Sequence, residues 1–470
     1  MKKYIAMFIM LGLAAVSGLT YSIHKILNQK DAVKIDYEVL EENPEAAEGI
    51  TFHVRNQWNG QLHWDSQVVI GEGGEIERMV TEFEDRFKEP TEENLIIHQI
   101  DEVTMHLEMN SAGSSYGADY VRAYGFKLNI CEKLLENLSR ETKAGENKTQ
   151  TVQLNEFQKY YDIFFHLNLL SGSYLVVGEE ENILGNLLQI KIPDSHQLKI
   201  SVQKDEYGEI VTRKSDWAYG LETFDVSAIQ TKDGVYFVFY GVDSEGQPME
   251  LETEQGNGIF YIPVEPIEDQ SDSAYKAESV IFYNRMKNEF ALSEKECYPL
   301  EIITDEAEET LYLLTEEQGK VVWRSIDLAT MKEKQKLELN EYHPIGNVHQ
   351  VDHQMDILED GMVIISGDNV FFYLEEKNGI YEKKIAANLG EGPRVGDQGY
   401  CYDLVYRDGK AALVIAVERQ VSTEAYVYVL SDRGVEYKAH FMPSFAYATY
   451  HGVMNWIHMR KEEPLEITMK

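Results

Sequence analysis

The second half of the chain repeats itself, and a repeat limits what a chain can fold into more than any other feature here. Asp360-Gly361 is followed by Met362-Val363-Ile364-Ile365, and Asp408-Gly409, 48 residues later, by Ala411-Ala412-Leu413-Val414-Ile415. Asp233-Gly234 opens Val235-Tyr236-Phe237-Val238-Phe239 in the same way, and Glu309-Thr310 precedes Leu311-Tyr312-Leu313-Leu314 one period earlier. Short apolar runs that follow a tight turn read as buried strands. The last three units each add a second strand: Val321-Val322-Trp323, Val370 to Tyr373 and Ala425 to Val429. A turn follows at Ala329-Thr330, Asn378-Gly379 or Arg433-Gly434, and then a more polar strand: Gln335 to Leu339, Ile380 to Ile385 and Val435 to Phe441.

A sheet of this kind exposes two apolar faces until neighbouring sheets cover them, so such units recur and close into a ring. The segment Ser325-Ile326-Asp327-Leu328-Ala329-Thr330-Met331-Lys332 resembles the strand and turn of quinoprotein-type β-propeller blades, which carry Asp-x-x-Thr-Gly-Lys followed by a docking Trp. Here Met331 stands for the Gly and Gln335 for the Trp. The resemblance is best over 309–442 and implies a fold, without a quinone; no cofactor is expected. The expected architecture is mainly β: a β-propeller-like domain over 51–470, with helical insertions within 74–170 and an acidic linker at 25–50. Residues 464–470 alternate as a short strand, expected to pair near Ile35–Val39 or Ile50–Val54 and close the ring.

Helical spacing is read in three places: Ile76, Val80, Phe83 and Phe87; Leu128, Cys131, Leu135 and Leu138; and Leu154, Phe157, Tyr161, Phe164 and Phe165. Trp58-Asn59-Gly60-Gln61 before Val68-Val69-Ile70 reads as a hairpin, since Asn-Gly supplies the positive φ values of a two-residue turn.

The first 24 residues point to export. Tyr4 to Ile23 are twenty residues without a charge, behind Lys2 and Lys3. A helix of that length, about 30 Å, reaches across a bilayer core. Ala15-Val16-Ser17 offers a signal-peptidase site, but the apolar run continues past it through Leu19, Tyr21 and Ile23. The expectation is a single-pass anchor with the domain extracytoplasmic, with a cleaved signal and secretion as the competitor.

Charge narrows the partners. The chain carries −38, and since residues 1–30 hold four lysines and no acids, the remainder carries −42. That field repels phosphate backbones and excludes a basic nucleic-acid interface. Hydrophobic content of 43% excludes disorder as its cause. Three widely spaced cysteines, Cys131, Cys297 and Cys401, do not make a disulfide framework.

Two motifs carry chemistry. Gly113-Ser114-Ser115-Tyr116-Gly117 matches the nucleophile elbow, with Ser115 as candidate catalytic serine, yet the alternating βα pattern of that fold is missing. His343, His349, Asp352 and His353 are candidate metal ligands, joined by Asp356 in one cluster. Their spacing is not HExxH, and His349 and His353 in an extended strand stand about 13 Å apart. A blade-connecting polar loop is the plainer reading, with no metal bound. Function is therefore expected to be that of a membrane-anchored binding, sensor or accessory module for a protein, peptide or glycan. The alternative is an extracytoplasmic hydrolase or lyase acting on envelope or secreted material.

Overall fold

The computed structural model describes residues 15–21, 33–41, 43–58, 62–84, 103–110, 130–153, 156, 162–169, 174–177, 197–217, 223–242, 248–249, 253, 255–266, 279–293, 296–305, 307–341, 353–366, 369–395, 397, 400–419, 422–445, 457–458 and 467–469. The chain divides into two compact units, residues 1–98 with 358–470, and residues 99–357. Both are built mainly of antiparallel sheets.

The 297–341 sheet of the second unit shows the repeat most plainly. Its strands Cys297–Thr304, Thr310–Glu317, Lys320–Asp327 and Lys332–Glu341 pair in chain order. The 354–388 sheet (Gln354–Leu358, Gly361–Ser366, Val370–Lys377, Ile380–Asn388) has the same order. So does the 401–445 sheet (Cys401–Arg407, Lys410–Arg419, Ser422–Ser431, Gly434–Phe445). Leu311–Leu314, Met362–Ile365 and Ala411–Ile415 all fall in the second strand of their sheets, as the period requires. The repeat has four strands rather than the three read from the sequence. Asp360-Gly361 and Asp408-Gly409 turn the chain from a first strand, too short or too polar to be seen, into the second.

The turn of Asp327 explains the departure at Met331. The Asp327 carboxylate accepts from the Thr330 amide at 3.0 Å and its hydroxyl at 2.7 Å. Met331 then lies at φ 49°, the left-handed conformation a Gly adopts without strain.

The apolar runs of the 401–445 sheet lack strict alternation because both faces are covered. Ala412, Val414, Ala416, Val427, Ala439 and Phe441 pack on Phe52, Val54, Val68 and Ile70 of the opening sheet. Leu413, Ile415, Tyr426 and Tyr428 pack on Val363, Phe371 and Ile385 of the 354–388 sheet.

The opening sheet is the hairpin Thr51–Trp58 with Leu62–Ile70, plus Ile76–Glu84. The expected helix over 76–87 is thus a strand as far as Glu84; pairing with 62–70 overrides a spacing that fits both periods. Likewise Asp162–Leu169 is a strand on Val103–Asn110, not part of a helix. The reading over Leu128 to Leu138 fits: Ile130–Glu141 is an amphipathic helix that buries Leu134, Leu135 and Leu138. It lies against a sheet of Asn147–Gln153, Gln197–Lys204 and Ile210–Trp217. The remaining sheet of the second unit contains one parallel pair, Ser279–Phe282 with Tyr174–Val177.

An early strand and a late one are sewn into the first unit. Val33–Glu41, expected within a linker, is a fifth strand on Gly434–Phe445, from Val33↔Phe445 to Glu41↔Lys438. Ile467 and Thr468 pair with Phe52 and Thr51, within one of the two expected segments. The Ile467 side chain is buried in the core, and its amide donates to Asp403 Oδ2 at 2.7 Å. The Tyr437 hydroxyl reaches the Gly74 carbonyl at 2.9 Å, and a Cβ at Gly74 would stand 3.1 Å from the Tyr437 ring and 3.2 Å from Pro44.

If these two residues close the seam, Ile467→Ala costs about 2–4 kcal/mol in chemical unfolding. Deleting 464–470 lowers the thermal midpoint by several degrees; an unchanged midpoint would remove the closing strand from the account.

Candidate functional site

The elbow serine, Ser115, lies outside the described residues, as do His343, His349 and Asp352. His353 is described and buried, and burial pushes its imidazole down to about 4, so it is neutral at ordinary pH. Asp356, also buried, accepts from Gln354 Nε2 at 2.9 Å. Among the described residues, no group of three His, Cys, Asp or Glu side chains is placed to hold a metal ion.

The structure instead gathers titratable groups where the sequence reading did not look. Alternation along Thr310–Glu317 puts Leu311, Leu313, Thr315 and Glu317 on one face, joined by Arg324 from the next strand. Arg324 is buried. Its Nη1 donates to Thr315 Oγ1 at 2.7 Å and to Glu317, and its Nε to Glu333 Oε2 at 3.0 Å. Thr315 Oγ1 donates to Glu317 Oε1 at 2.7 Å, and Lys336 Nζ meets Glu317 Oε2 at 2.8 Å. Burial alone would raise the Glu317 carboxyl; the bonds from Arg324, Lys336 and Thr315 outweigh it and hold the group at about 2. Burial would lower Arg324, and Glu317 reverses that too. Glu316 points to the opposite face. It is buried, its Oε2 meets no hydrogen-bond partner, and desolvation pushes it up to about 7.

The 401–445 sheet holds a second cage at the turn between its last two strands. Ser431 Oγ donates to Glu436 Oε1 at 2.7 Å, Lys410 Nζ to Oε2 at 2.9 Å, and Arg433 also to Oε1. These bonds overcome burial and hold Glu436 at about 2. Lys438 donates to the carbonyls of Leu389 at 2.7 Å and Glu391 at 2.6 Å, and desolvation lowers its pKa.

Two histidines sit beside carboxylates in the first unit. His53 is committed at both nitrogens: Gln67 Nε2 lies 3.2 Å from Nε2, and Asp65 Oδ2 lies 3.0 Å from Nδ1. His440 Nε2 is 3.1 Å from Glu424 Oε2, with the ring stacked on Tyr426 at 4.1 Å. The alternation of Glu436, Lys438 and His440 with Tyr437, Ala439 and Phe441 was the available signal for these groups. It places three titratable residues on one face of a strand.

No protein-family model and no curated protein matches the chain. Among solved structures it is similar to a chain in the complex of an S. cerevisiae Dbp5 variant bound to Nup159, a Gle1 variant, IP6 and ADP. The identity is 11% and the TM-score 0.22, and the match covers 63% of this chain and 65% of that one. Kluyveromyces lactis Hsv2 matches at 8% identity and TM-score 0.21, over 59% of this chain and 91% of that one. A putative 6-phosphogluconolactonase from Bacteroides fragilis matches at 12% identity and TM-score 0.22, over 80% and 90%.

Two outcomes follow from the charges. Glu316, whose folded pKa is raised above its unfolded value, contributes stability below pH 4.5 that is lost as pH rises through 7. Glu316→Gln is therefore expected to raise the unfolding midpoint at pH 8, with the gain fading by pH 4. Glu317, depressed to about 2, contributes stability above pH 4.5 that is lost as pH falls towards 2. Arg324→Met, which strands the buried Glu317, is expected to cost about 3–5 kcal/mol. Restoring apolarity with Glu317→Leu in the same chain should recover much of that loss in denaturant titrations.

Proposed function

We propose that the chain is an extracytoplasmic binding or accessory module, built as a β-propeller and held at a membrane by Tyr4–Ile23. The observation that carries the reading is where three of its shifted charges go. Glu317, Glu436 and Lys438 are committed to fastening strands and loops of the repeated sheets. Groups so committed hold a scaffold rigid and are not poised to exchange protons with a substrate. The four-strand order of the 297–341, 354–388 and 401–445 sheets supports the propeller, because each is the antiparallel meander of one blade. The ligand would be a protein, peptide or glycan; nucleic acid is disfavoured by the charge of −38.

The anchor rests on the twenty uncharged residues from Tyr4 to Ile23. Of these, residues 15–21 are described: they are helical, with Val16, Leu19 and Tyr21 exposed. Among the described residues no helix is long and apolar enough to cross a membrane.

One observation favours the hydrolase or lyase alternative. His440 backed by Glu424 is the arrangement of a general base oriented by a carboxylate. Ser115 and the His343–His353 segment remain the sequence candidates for that reading.

Expressed in full, the chain should stay with membranes after carbonate washing, whereas residues 31–470 should wash free; equal release of both would overturn the anchor. His440→Ala should leave binding to envelope glycans and peptides unchanged. Turnover of an ester or glycoside panel that disappears in His440→Ala would instead establish the enzyme.

A further inference from the structure

Resting on the anchored reading, a second conclusion follows from the register of Val33–Glu41. Only nine residues separate that strand from Ile23, the last of the uncharged run. Nine residues drawn straight span about 30 Å. The strand is paired with Gly434–Phe445 along its length, with Val33 opposite Phe445 and Glu41 opposite Lys438. The leash is therefore fixed to one particular end of the 401–445 sheet.

The antiparallel order of that sheet tells which turns share that end. Arg419 pairs with Ser422, so the hairpin between them lies at the Phe445 end. Arg407 pairs with Lys410 and Ser431 with Gly434, so both of these turns lie at the opposite end. Gly434–Phe445 has 12 residues, which separates the two ends by about 35 Å.

We propose that this sheet stands over the bilayer with its Val33, Phe445 and Arg419–Ser422 end towards lipid. The Arg407–Lys410 and Ser431–Gly434 turns then face away from it. The inverted pose would lift Val33 about 35 Å from the surface, at or beyond the about 30 Å that nine residues can span. The upright pose keeps Val33 within that reach. The end turned away is the one fastened by the bonds of Lys410, Ser431 and Arg433 to Glu436.

The full chain reconstituted in phosphatidylcholine vesicles with a spin-labelled headgroup lipid tests this. A fluorophore is placed by Ser422→Cys or by Asp432→Cys, with Cys131, Cys297 and Cys401 replaced by Ala. Quenching at least twofold stronger at 422 than at 432 is the expected result. Equal quenching, or stronger quenching at 432, overturns the orientation while leaving the anchor in place. Should the cysteine-free chain fail to fold, the unmodified chain gives a second readout. On vesicles trypsin should cut after Arg433 as in detergent but more slowly after Arg419, and equal slowing at both sites overturns the proposal. Failure of the chain to float with vesicles, whether or not residues 1–30 are present, would overturn the anchored reading itself and the orientation with it.

Discussion

Covering both faces of the 401–445 sheet is the constraint on which the first unit depends. Ala412, Val414 and Ala416 on one face and Leu413 and Ile415 on the other are apolar, so neither face can be left to water. The 354–388 sheet covers one side by simple succession in the chain. The other side must be met by residues 51–70, which come from the far end of the sequence. Val33–Glu41 on one edge and Ile467 in the joint are what hold that long-range match together. Asp403 belongs to the same device, because its carboxylate satisfies the amide of Ile467 inside the core.

Buried charge follows a different logic from buried carbon. Arg324 with Glu317 gains little over an apolar pair, since desolvation offsets most of their attraction. What such a pair supplies is geometry: three donors converge on Glu317, and slipping the register by one residue would strand them all. Glu316, one residue away and without such partners, shows the opposite case. Neighbouring glutamates on one strand thus titrate about five units apart, for reasons of face alone.

The periodic strands were legible in the sequence because each is an apolar run behind a turn of fixed type. The first strand of each unit was not legible, since Cys401-Tyr402-Asp403 mixes polar and apolar side chains and Gln354–Leu358 is short. Ile76–Glu84 was misread because apolar residues at 76, 80 and 83 suit a helix as well as an edge strand. Val33–Glu41 was hidden in acidic sequence: Asp36, Glu38 and Glu41 face outward on an edge, where charge is tolerated. The buried network at Arg324 is a matter of cross-strand register, and a single sequence does not reveal which residues stand opposite each other.

Sewing Val33–Glu41 to Gly434–Phe445 sets a timetable as well as a shape. The two strands are separated by about four hundred residues, so the first leaves the ribosome long before its partner exists. At about 5–20 residues per second that interval is roughly 20–80 s. During it the opening sheet has an uncovered apolar face, and Val33–Glu41 has no edge to join. Contacts of such long sequence separation form late and slowly. The chain thus passes through an unfinished state in which that apolar face stays exposed until its last strands are made.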